Sequence, residues 1–421
     1  MYENSTIEEK AILVGVLRRI SDQLKDTTEE SLEELSLLTE TAGASVCGII
    51  TQNREAPDKG TFVGDGKLEE IYEECKKLDA NLVIFDDELT GSQLKNIEAV
   101  LKDIRVIDRT TLILDIFADR ARSGEGKLQV ELAQLKYNLP RLSGGYTSLS
   151  RQGGGIGTKG PGETKIETDR RYIRTRINSL EKEIEKLSNH RNLIRAGRKK
   201  REIPSVAIVG YTNAGKSTLL NHLTDAGVLA ENMLFATLDP TARALSMPDG
   251  REAMLIDTVG FIRKLPHHLV EAFKSTLEEA VNAEVLLHVI DSSSPERDNQ
   301  IMVVNNLLKE LGCEGIPVIS VFNKCDIVDD ETIPRPTLPE KSVFISAKTG
   351  EGIDKLISVM DDTVPGKRRK MKILLPYSKG SVLHSIISAD CLLSNEYTEN
   401  GILIEFMADA KAQSDYKEFE V

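Results

Sequence analysis

The run Val206-Ala207-Ile208-Val209 leads directly into Gly210-Tyr211-Thr212-Asn213-Ala214-Gly215-Lys216-Ser217, and a helical pattern follows from Thr218 to Leu223. No other stretch restricts the fold as strongly. The apolar run suits a central strand. The GxxxxGK[ST] spacing makes a tight loop whose backbone N–H groups point inward, at the positive end of the next helix. A strand–loop–helix unit of this kind belongs to an α/β domain, a mostly parallel sheet with helices on both faces. Lys216 is expected to reach the β- and γ-phosphates of a nucleotide, and the Ser217 hydroxyl to ligate Mg²⁺.

Three further motifs follow in order at predicted strand ends. Ala253 to Ile256 ends in Asp257-Thr258-Val259-Gly260, where Asp257 can hold Mg²⁺ through water and the Gly260 N–H can meet a γ-phosphate. Only a triphosphate supplies that contact, so the segment after it should move on hydrolysis. Ile316 to Phe322 delivers Asn323-Lys324-Cys325-Asp326. The Asp326 carboxylate can accept from guanine N1–H and the 2-amino group, a donor pair adenine lacks. Asn323 can bond N7, and the Lys324 stem can cover the ring. Val343 to Ile345 leads into Ser346-Ala347-Lys348, whose backbone can donate to guanine O6. The four motifs together imply a site for GTP and GDP.

A second Mg²⁺ ligand is expected from Thr224, Thr237 or Thr241. Thr224 still belongs to the helix, so Phe235-Ala236-Thr237-Leu238-Asp239 is the better-placed segment. Many GTPases orient the attacking water with a Gln directly after DxxG. Phe261 stands there and cannot hydrogen-bond water, so slow intrinsic hydrolysis is expected. Asn213 has two readings, a K⁺ ligand or a stabiliser of the loop turn. His267 and His268 read as loop residues, and Asp291 as a helix cap or loop residue.

The chain has 421 residues, 40% of them apolar, enough for two to four domains. The expected divisions are an N-terminal α/β domain at 1–108, a helical hairpin at 109–200, the nucleotide domain at 201–366 and a small α/β module at 367–421. In the first, Ser45 to Ile50 and Asn81 to Phe85 read as strands, Leu68 to Leu78 and Leu94 to Leu101 as helices, and Gly64-Asp65-Gly66-Lys67 as a plain turn. In the second, Leu128, Leu132, Leu135 and Leu139 and then Ile173, Ile177, Leu180, Ile184 and Leu187 form heptad-like seams that two antiparallel helices can bury. Arg195 to Arg201 and Lys367 to Lys370 read as basic linkers. The last module is expected to hold a strand from Lys372 to Tyr377, a helix from Ser381 to Ala389 and a hairpin turning at Asn400-Gly401.

Net charge is −13, which taken alone argues against nucleic acid. Residues 141–201 nevertheless carry 16 Lys and Arg against 6 Asp and Glu, a local +10 that leaves −23 for the rest. Arg141, Arg151, Lys159, Lys165, Arg170, Arg171, Arg174 and Arg176 sit in or beside a glycine-rich stretch running from Ser143 to Gly162. Glycines admit a phosphate close to the backbone, and the cations would neutralise it; a solvated loop is the plainer alternative. Five scattered cysteines form no CxxC pair, which fits a reducing cytoplasm. No apolar run approaches the ~18 residues of a membrane span.

Three strings carry a more specific likeness: Phe235-Ala236-Thr237-Leu238-Asp239-Pro240-Thr241, Asp257-Thr258-Val259-Gly260 with Phe261-Ile262, and Gly160-Pro161-Gly162-Glu163-Thr164-Lys165-Ile166-Glu167-Thr168-Asp169-Arg170-Arg171. Together they resemble the HflX family of ribosome-associated GTPases over about residues 5 to 365. The resemblance implies an N-terminal α/β domain, a helical hairpin and a GTPase domain of the translation-factor-related class. It also implies binding to the large ribosomal subunit, a hairpin tip that reaches ribosomal RNA, and splitting of stalled or idle ribosomes. Thr237 becomes the threonine that ligates Mg²⁺ directly, and Lys216, Thr237 and Gly260 the catalytic set. Asn213 resembles the asparagine that holds K⁺ in cation-stimulated GTPases. Arg151, Lys159, Arg170 and Arg171 are the expected RNA contacts, in a protein that is monomeric when bound. Two alternatives keep the same nucleotide site: a GTPase of ribosome assembly or tRNA modification, and a GTP-gated RNA-binding adaptor in which hydrolysis is incidental.

Overall fold

Runs of Val, Ile and Leu with no polar alternation need cover on both faces, which a parallel sheet wrapped by helices provides. The computed structural model describes residues 9–18, 28–142, 165–200, 203–224, 234–235, 241–266, 269, 274–328, 341–379, 382–384, 386 and 391–421. The chain falls into two units. One comprises Met1–Arg191 with Glu231–Asp239 and Val259–Thr276; the other comprises Asn192–Ala230, Pro240–Thr258 and Leu277–Val421.

Among the described residues the first unit holds a four-stranded sheet in the order β2-β1-β3-β4, parallel throughout. The strands are β1 (Lys10–Leu17), β2 (Ser45–Asn53), β3 (Leu82–Phe85) and β4 (Arg105–Asp108), linked by α1 (Glu29–Thr41), α2 (Asp65–Leu78) and α3 (Gly91–Leu101). Local chemistry sets the helix starts. Thr28 caps α1, and Thr90 with Gln93 forms a reciprocal capping box on α3. Asp108 caps α4 (Arg109–Arg120) through Thr111 N at 2.9 Å, and its other oxygen accepts from Leu89 N and the Tyr137 hydroxyl. The expected boundary at 108/109 therefore falls inside a cap, and α4 packs on α1.

The seams expected between 128 and 184 are real. α5 (Gly124–Asn138) and α6 (Lys165–Lys200) bury Leu132, Ile173, Ile177 and Leu180 together, with Leu128, Leu135, Leu139 and Ile184 packed against them. Arg176 clasps Glu131 through two bonds of 2.7 and 2.8 Å. Two expectations are corrected here. Leu187 is exposed and lies outside the cluster. Arg195 to Lys200 is no linker but the last turns of α6, since only Gly197 interrupts a run of good helix formers. The basic cluster is also partly structural. Arg141 is buried, stacks 3.5 Å over the Tyr137 ring and donates to Leu89 O at 3.1 Å. Arg170 donates to Leu142 O at 2.9 Å. Arg171 and Arg174 are exposed, while Arg151, Lys159 and the glycine-rich stretch lie outside the described residues.

A buried charge cluster sits at the end of β3. Asp86 accepts from Arg109 at 2.8 Å and from Ser31 Oγ at 2.7 Å, and it pairs with Lys264, which also reaches Asp87 at 2.8 Å. Burial alone would push the Asp86 carboxyl up, but the Arg109 and Lys264 charges and the Ser31 hydroxyl outweigh it and hold it well below the usual carboxylate range. A carboxyl depressed in the folded state stabilises the fold above its unfolded pKa of about 4, and that contribution is lost as pH falls. Asp86→Asn should therefore cost about 3 kcal/mol at pH 7, because it leaves buried cations under-compensated. Acid titration of stability by denaturant melts checks this: the wild type should lose stability steeply below about pH 4 and the variant much less.

Among the described residues the second unit is built on a six-stranded sheet in the order β10-β9-β8-β5-β7-β6. Its strands are β5 (Ser205–Gly210), β6 (Thr241–Ser246), β7 (Glu252–Asp257), β8 (Val285–Asp291), β9 (Val318–Asn323) and β10 (Lys341–Phe344). Among these described strands β6 alone runs antiparallel, against β7. One sheet face packs Ile208, Leu287, Val321 and Val343 against Leu219 and Leu220 of α7 (Lys216–Thr224) and against Leu356 and Met360. The fold class is thus α/β and mostly parallel, as the strand–loop–helix pattern requires.

A three-stranded antiparallel sheet closes the chain in the order β11-β13-β12, with β11 (Arg369–Leu375), β12 (Leu392–Thr398) and β13 (Gly401–Ala408). Its first strand begins three residues before the expected Lys372 and stops at Pro376, which lacks the N–H a ladder needs. Arg369 and Lys370 are accordingly strand residues paired with Glu420 and Glu405, not linker. The helix expected from Ser381 to Ala389 lies largely outside the described residues. Arg251 rivets this junction by donating to the carbonyls of Val364, Pro365 and Asp361 at 2.7–2.9 Å.

Candidate functional site

Every described motif in the second unit lies at the carboxyl end of a parallel strand, where an open α/β sheet leaves room for a ligand. Two glycines make the first loop possible. Gly210 has φ 152, and a Cβ there would sit 2.2 Å from Val289 O; Gly215 has φ 95, and a Cβ would sit 2.2 Å from Asn323 Nδ2. Asn213 adopts φ 60 and is exposed, a left-handed conformation that asparagine tolerates well. That geometry favours its turn-forming role and leaves its side chain accessible to a cation. Tyr211, Thr212 and Ala214 are buried.

Lys216 folds back over this loop. Its Nζ donates to the Tyr211 carbonyl at 2.8 Å, and burial pulls its pKa down to about 8 against the opposing pull of Asp257. Ser217 Oγ donates to Asp257 Oδ2 at 2.8 Å, while Asp257 Oδ1 is a buried acceptor. The Thr212 hydroxyl, nearby in sequence, is buried with no hydrogen-bond partner among the described residues. A hydroxyl beside a buried carboxylate is a set of hard oxygen donors, which suits Mg²⁺. Thr258 donates to Ile208 O at 2.7 Å and so fixes β7 against β5 at this end.

Asn323 joins three loops. Its Nδ2 donates to Ala214 O at 2.8 Å, and its Oδ1 accepts from Ala347 N at 2.9 Å. The side chain is thus a clamp between loops, with a second amide N–H beyond the one given to Ala214 O. Lys324 has φ 66, and its Nζ meets Asp291 Oδ2 at 2.7 Å. Cys325 N donates to Ile345 O at 3.2 Å, and Asp326 is exposed in the short turn Cys325–Ile327. Ser346 is buried and bonds Glu351 O and Gly350 N at 2.9 Å each, which shapes the loop that presents Ala347 and Lys348.

The remaining candidates fall elsewhere. Ala236, Thr237, Leu238, Asp239, His267 and His268 lie outside the described residues. Thr241 opens β6. Phe235 belongs to the first unit, only 2% exposed, with its ring edge-on to Phe117 at 4.6 Å. Its side chain is core packing. Val259, Gly260 and the buried Phe261 are likewise part of the first unit. Two residues stand out that the motifs did not single out. Asp291 does cap a loop, as expected, but it also holds Lys324. His288, opposite Val209 in the β5–β8 ladder, is buried, and burial first and the Lys216 charge second lower its pKa to about 4. A polar residue inside the otherwise apolar Val285–Ile290 was the available signal.

Residues 29–118 match the family described as GTP-binding GTPase N-terminal, residues 120–198 its Middle Region, and residues 205–324 the family described as 50S ribosome-binding GTPase. GTPase HflX of Lacrimispora saccharolytica is 51% identical over 405 residues, 96% of this chain and 94% of the relative. The chain belongs to the HflX family of GTPases. Another member, GTPase HflX of Escherichia coli K12, is 45% identical over 384 residues, 90% of this chain and 88% of its own. A GTP-binding protein of Sulfolobus solfataricus solved in complex with GDP is 28% identical, with a TM-score of 0.44, covering 84% of this chain and 98% of that one. As an HflX-family protein the chain is a GTP-hydrolysing enzyme, and its phosphate-loop domain binds the nucleotide.

Proposed function

We propose that this HflX-family GTPase works on the large ribosomal subunit and splits stalled or idle ribosomes in the cytoplasm. The observation that carries this reading is the match of residues 205–324 to a family described as 50S ribosome-binding GTPase, in a chain whose residues 120–198 match the GTP-binding GTPase Middle Region. Exposed Arg171 and Arg174 beside the glycine-rich stretch supply the charge that an RNA contact needs. Among the described residues no helix is long and apolar enough to cross a membrane.

In this reading the phosphate loop from Gly210 to Ser217 holds the phosphates, Asp326 reads guanine, and Asn323 and the Ser346-Ala347-Lys348 loop complete the base pocket. Mg²⁺ would be held by Ser217 and Thr237 directly and by Asp257 through water, and it supplies charge neutralisation of the phosphates. Asn213 is the candidate ligand for K⁺. With Phe261 in place of a glutamine, intrinsic hydrolysis is slow and ribosome contact accelerates it.

Sedimentation with large subunits tests the proposal, with GDP or a non-hydrolysable GTP analogue present. Cosedimentation should require the triphosphate form. Replacing Arg151, Lys159 and Arg171 together with glutamine should lower affinity and flatten its salt dependence by about 2 in log–log slope, while GTP binding persists. Arg170 is left in place because it supports Leu142. Unchanged affinity and slope would move the contact elsewhere. Cosedimentation with assembly precursors alone would favour an assembly role.

A further inference from the structure

We infer that Asp291 is a positioning residue for the nucleotide base, acting through Lys324. The inference rests on the guanine-site reading above and deepens it. Asp291 ends β8 opposite Asn323 in the β8–β9 ladder, and Ser292 N donates to Asn323 O at 3.0 Å. Both carboxylate oxygens are engaged. Oδ1 accepts from Ser293 N at 3.0 Å and from Ser293 Oγ at 2.6 Å, and Oδ2 meets Lys324 Nζ at 2.7 Å. With both oxygens bonded, the carboxylate cannot swing away from the lysine.

Lys324 needs such an anchor. Its backbone sits at φ 66 and ψ 32, left-handed for a residue with a Cβ, so the loop holds it in a conformation it does not prefer. Its long side chain would otherwise sample many rotamers. Fixed at its tip by a carboxylate that is itself only 17% exposed, the aliphatic stem is laid in one course, two residues from Asp326, before any base arrives. Ordering a side chain in advance removes an entropic cost from binding.

The contact has a signature that separates it from Asp326. A stem lying over a ring face meets no donors or acceptors, so it serves guanine and hypoxanthine alike. Asp326 works at the edge, where the two bases differ by the 2-amino group. Loss of Asp291 should therefore weaken GDP and IDP by the same factor, about five- to tenfold, and leave kcat at saturating GTP unchanged.

The test is a double-mutant cycle read by fluorescent-GDP titration and IDP competition, using the full chain. Asp291→Ala is compared in the wild-type and Lys324→Met backgrounds, since methionine keeps an apolar stem without the ammonium. Asp291→Asn keeps the Ser293 bonds at its Oδ1 but turns an N–H₂ toward the Lys324 ammonium and so loses the lysine contact, and Ser293→Ala keeps that contact. Asp291→Ala should cost about five- to tenfold alone and less than twofold beside Lys324→Met. Asp291→Asn should show a loss about as large as Asp291→Ala, and Ser293→Ala none. An equal loss in both backgrounds, or a loss with Ser293→Ala as large as with Asp291→Ala, reduces Asp291 to a loop cap and overturns the inference alone. Failure of the wild type to bind GDP would overturn the site reading, and this inference with it.

Discussion

Lys216→Ala should abolish productive GTP turnover while leaving the protein at least as stable as before. The two effects have different origins. The ammonium is the charge the loop offers to a phosphate, and removing a preorganised donor of this kind costs about 10²–10³ in kcat, more where substrate phosphates are also held by it. In the free protein the same group is a burden. Burial brings its pKa down to about 8 from an ordinary value near 10.5, so keeping it charged at pH 7 opposes folding by roughly 3 kcal/mol. The native state binds fewer protons than the unfolded one between those two values, so wild-type stability should rise with pH across that window. Alanine removes the burden and gives up the packing of the stem and the bond to Tyr211 O. Single-turnover hydrolysis and a denaturant melt at pH 7 measure the two halves. Near-normal turnover would refute the phosphate-binding role. A marked loss of stability would show that the Tyr211 contact matters more to the fold than the buried charge opposes it.

What the sequence disclosed and what it hid divide along the range of the interactions. The loop at Gly210–Ser217 and the Asn323–Asp326 turn were legible because each is a local solution to a local demand: positive φ, an inward N–H, a carboxylate at fixed offset. The hairpin seam was legible as far as Ile184 because a 3.5-residue period needs only a partner of the same period. It failed at Leu187, since α5 has only 15 residues and α6 has 36, and no periodicity says where the partner ends. Charge runs misled twice. Arg195 to Lys200 continues α6, and Arg369 and Lys370 begin β11, because a cation is compatible with helix, strand or linker alike. The sequence reading named β2 and β3 but not β1 or β4. β4 is only four residues long, and its Asp108 matters for a cap and for Tyr137, partners that sequence spacing does not reveal. The same holds for Lys324 and Asp291, 33 residues apart and joined only by strand pairing.

Asp326→Asn should convert the nucleotide preference from GTP toward XTP. Asp326 stands exposed in the turn Cys325–Ile327, held from behind by the Cys325 N–H to Ile345 O and by the Asn323 clamp. A carboxylate there offers two acceptors to the paired donors of guanine, N1–H and the 2-amino group. Asparagine keeps one acceptor and turns an N–H₂ toward the other position. Against guanine that places donor facing donor, leaving both unsatisfied once the base excludes water. Against xanthine it meets a carbonyl. Sites built around such bonds discriminate by roughly 10⁴ between matched and mismatched partners, so the ratio of GTP to XTP affinity should swing by about that factor. The frame should not change, because Asn323 and Ala347 are untouched, and the melting temperature should match the wild type. Competition of XTP and GTP for a fluorescent nucleotide, followed by turnover of each, measures the swing. A variant that binds both nucleotides less tightly by the same factor would mean that Asp326 supports the turn without reading the base edge.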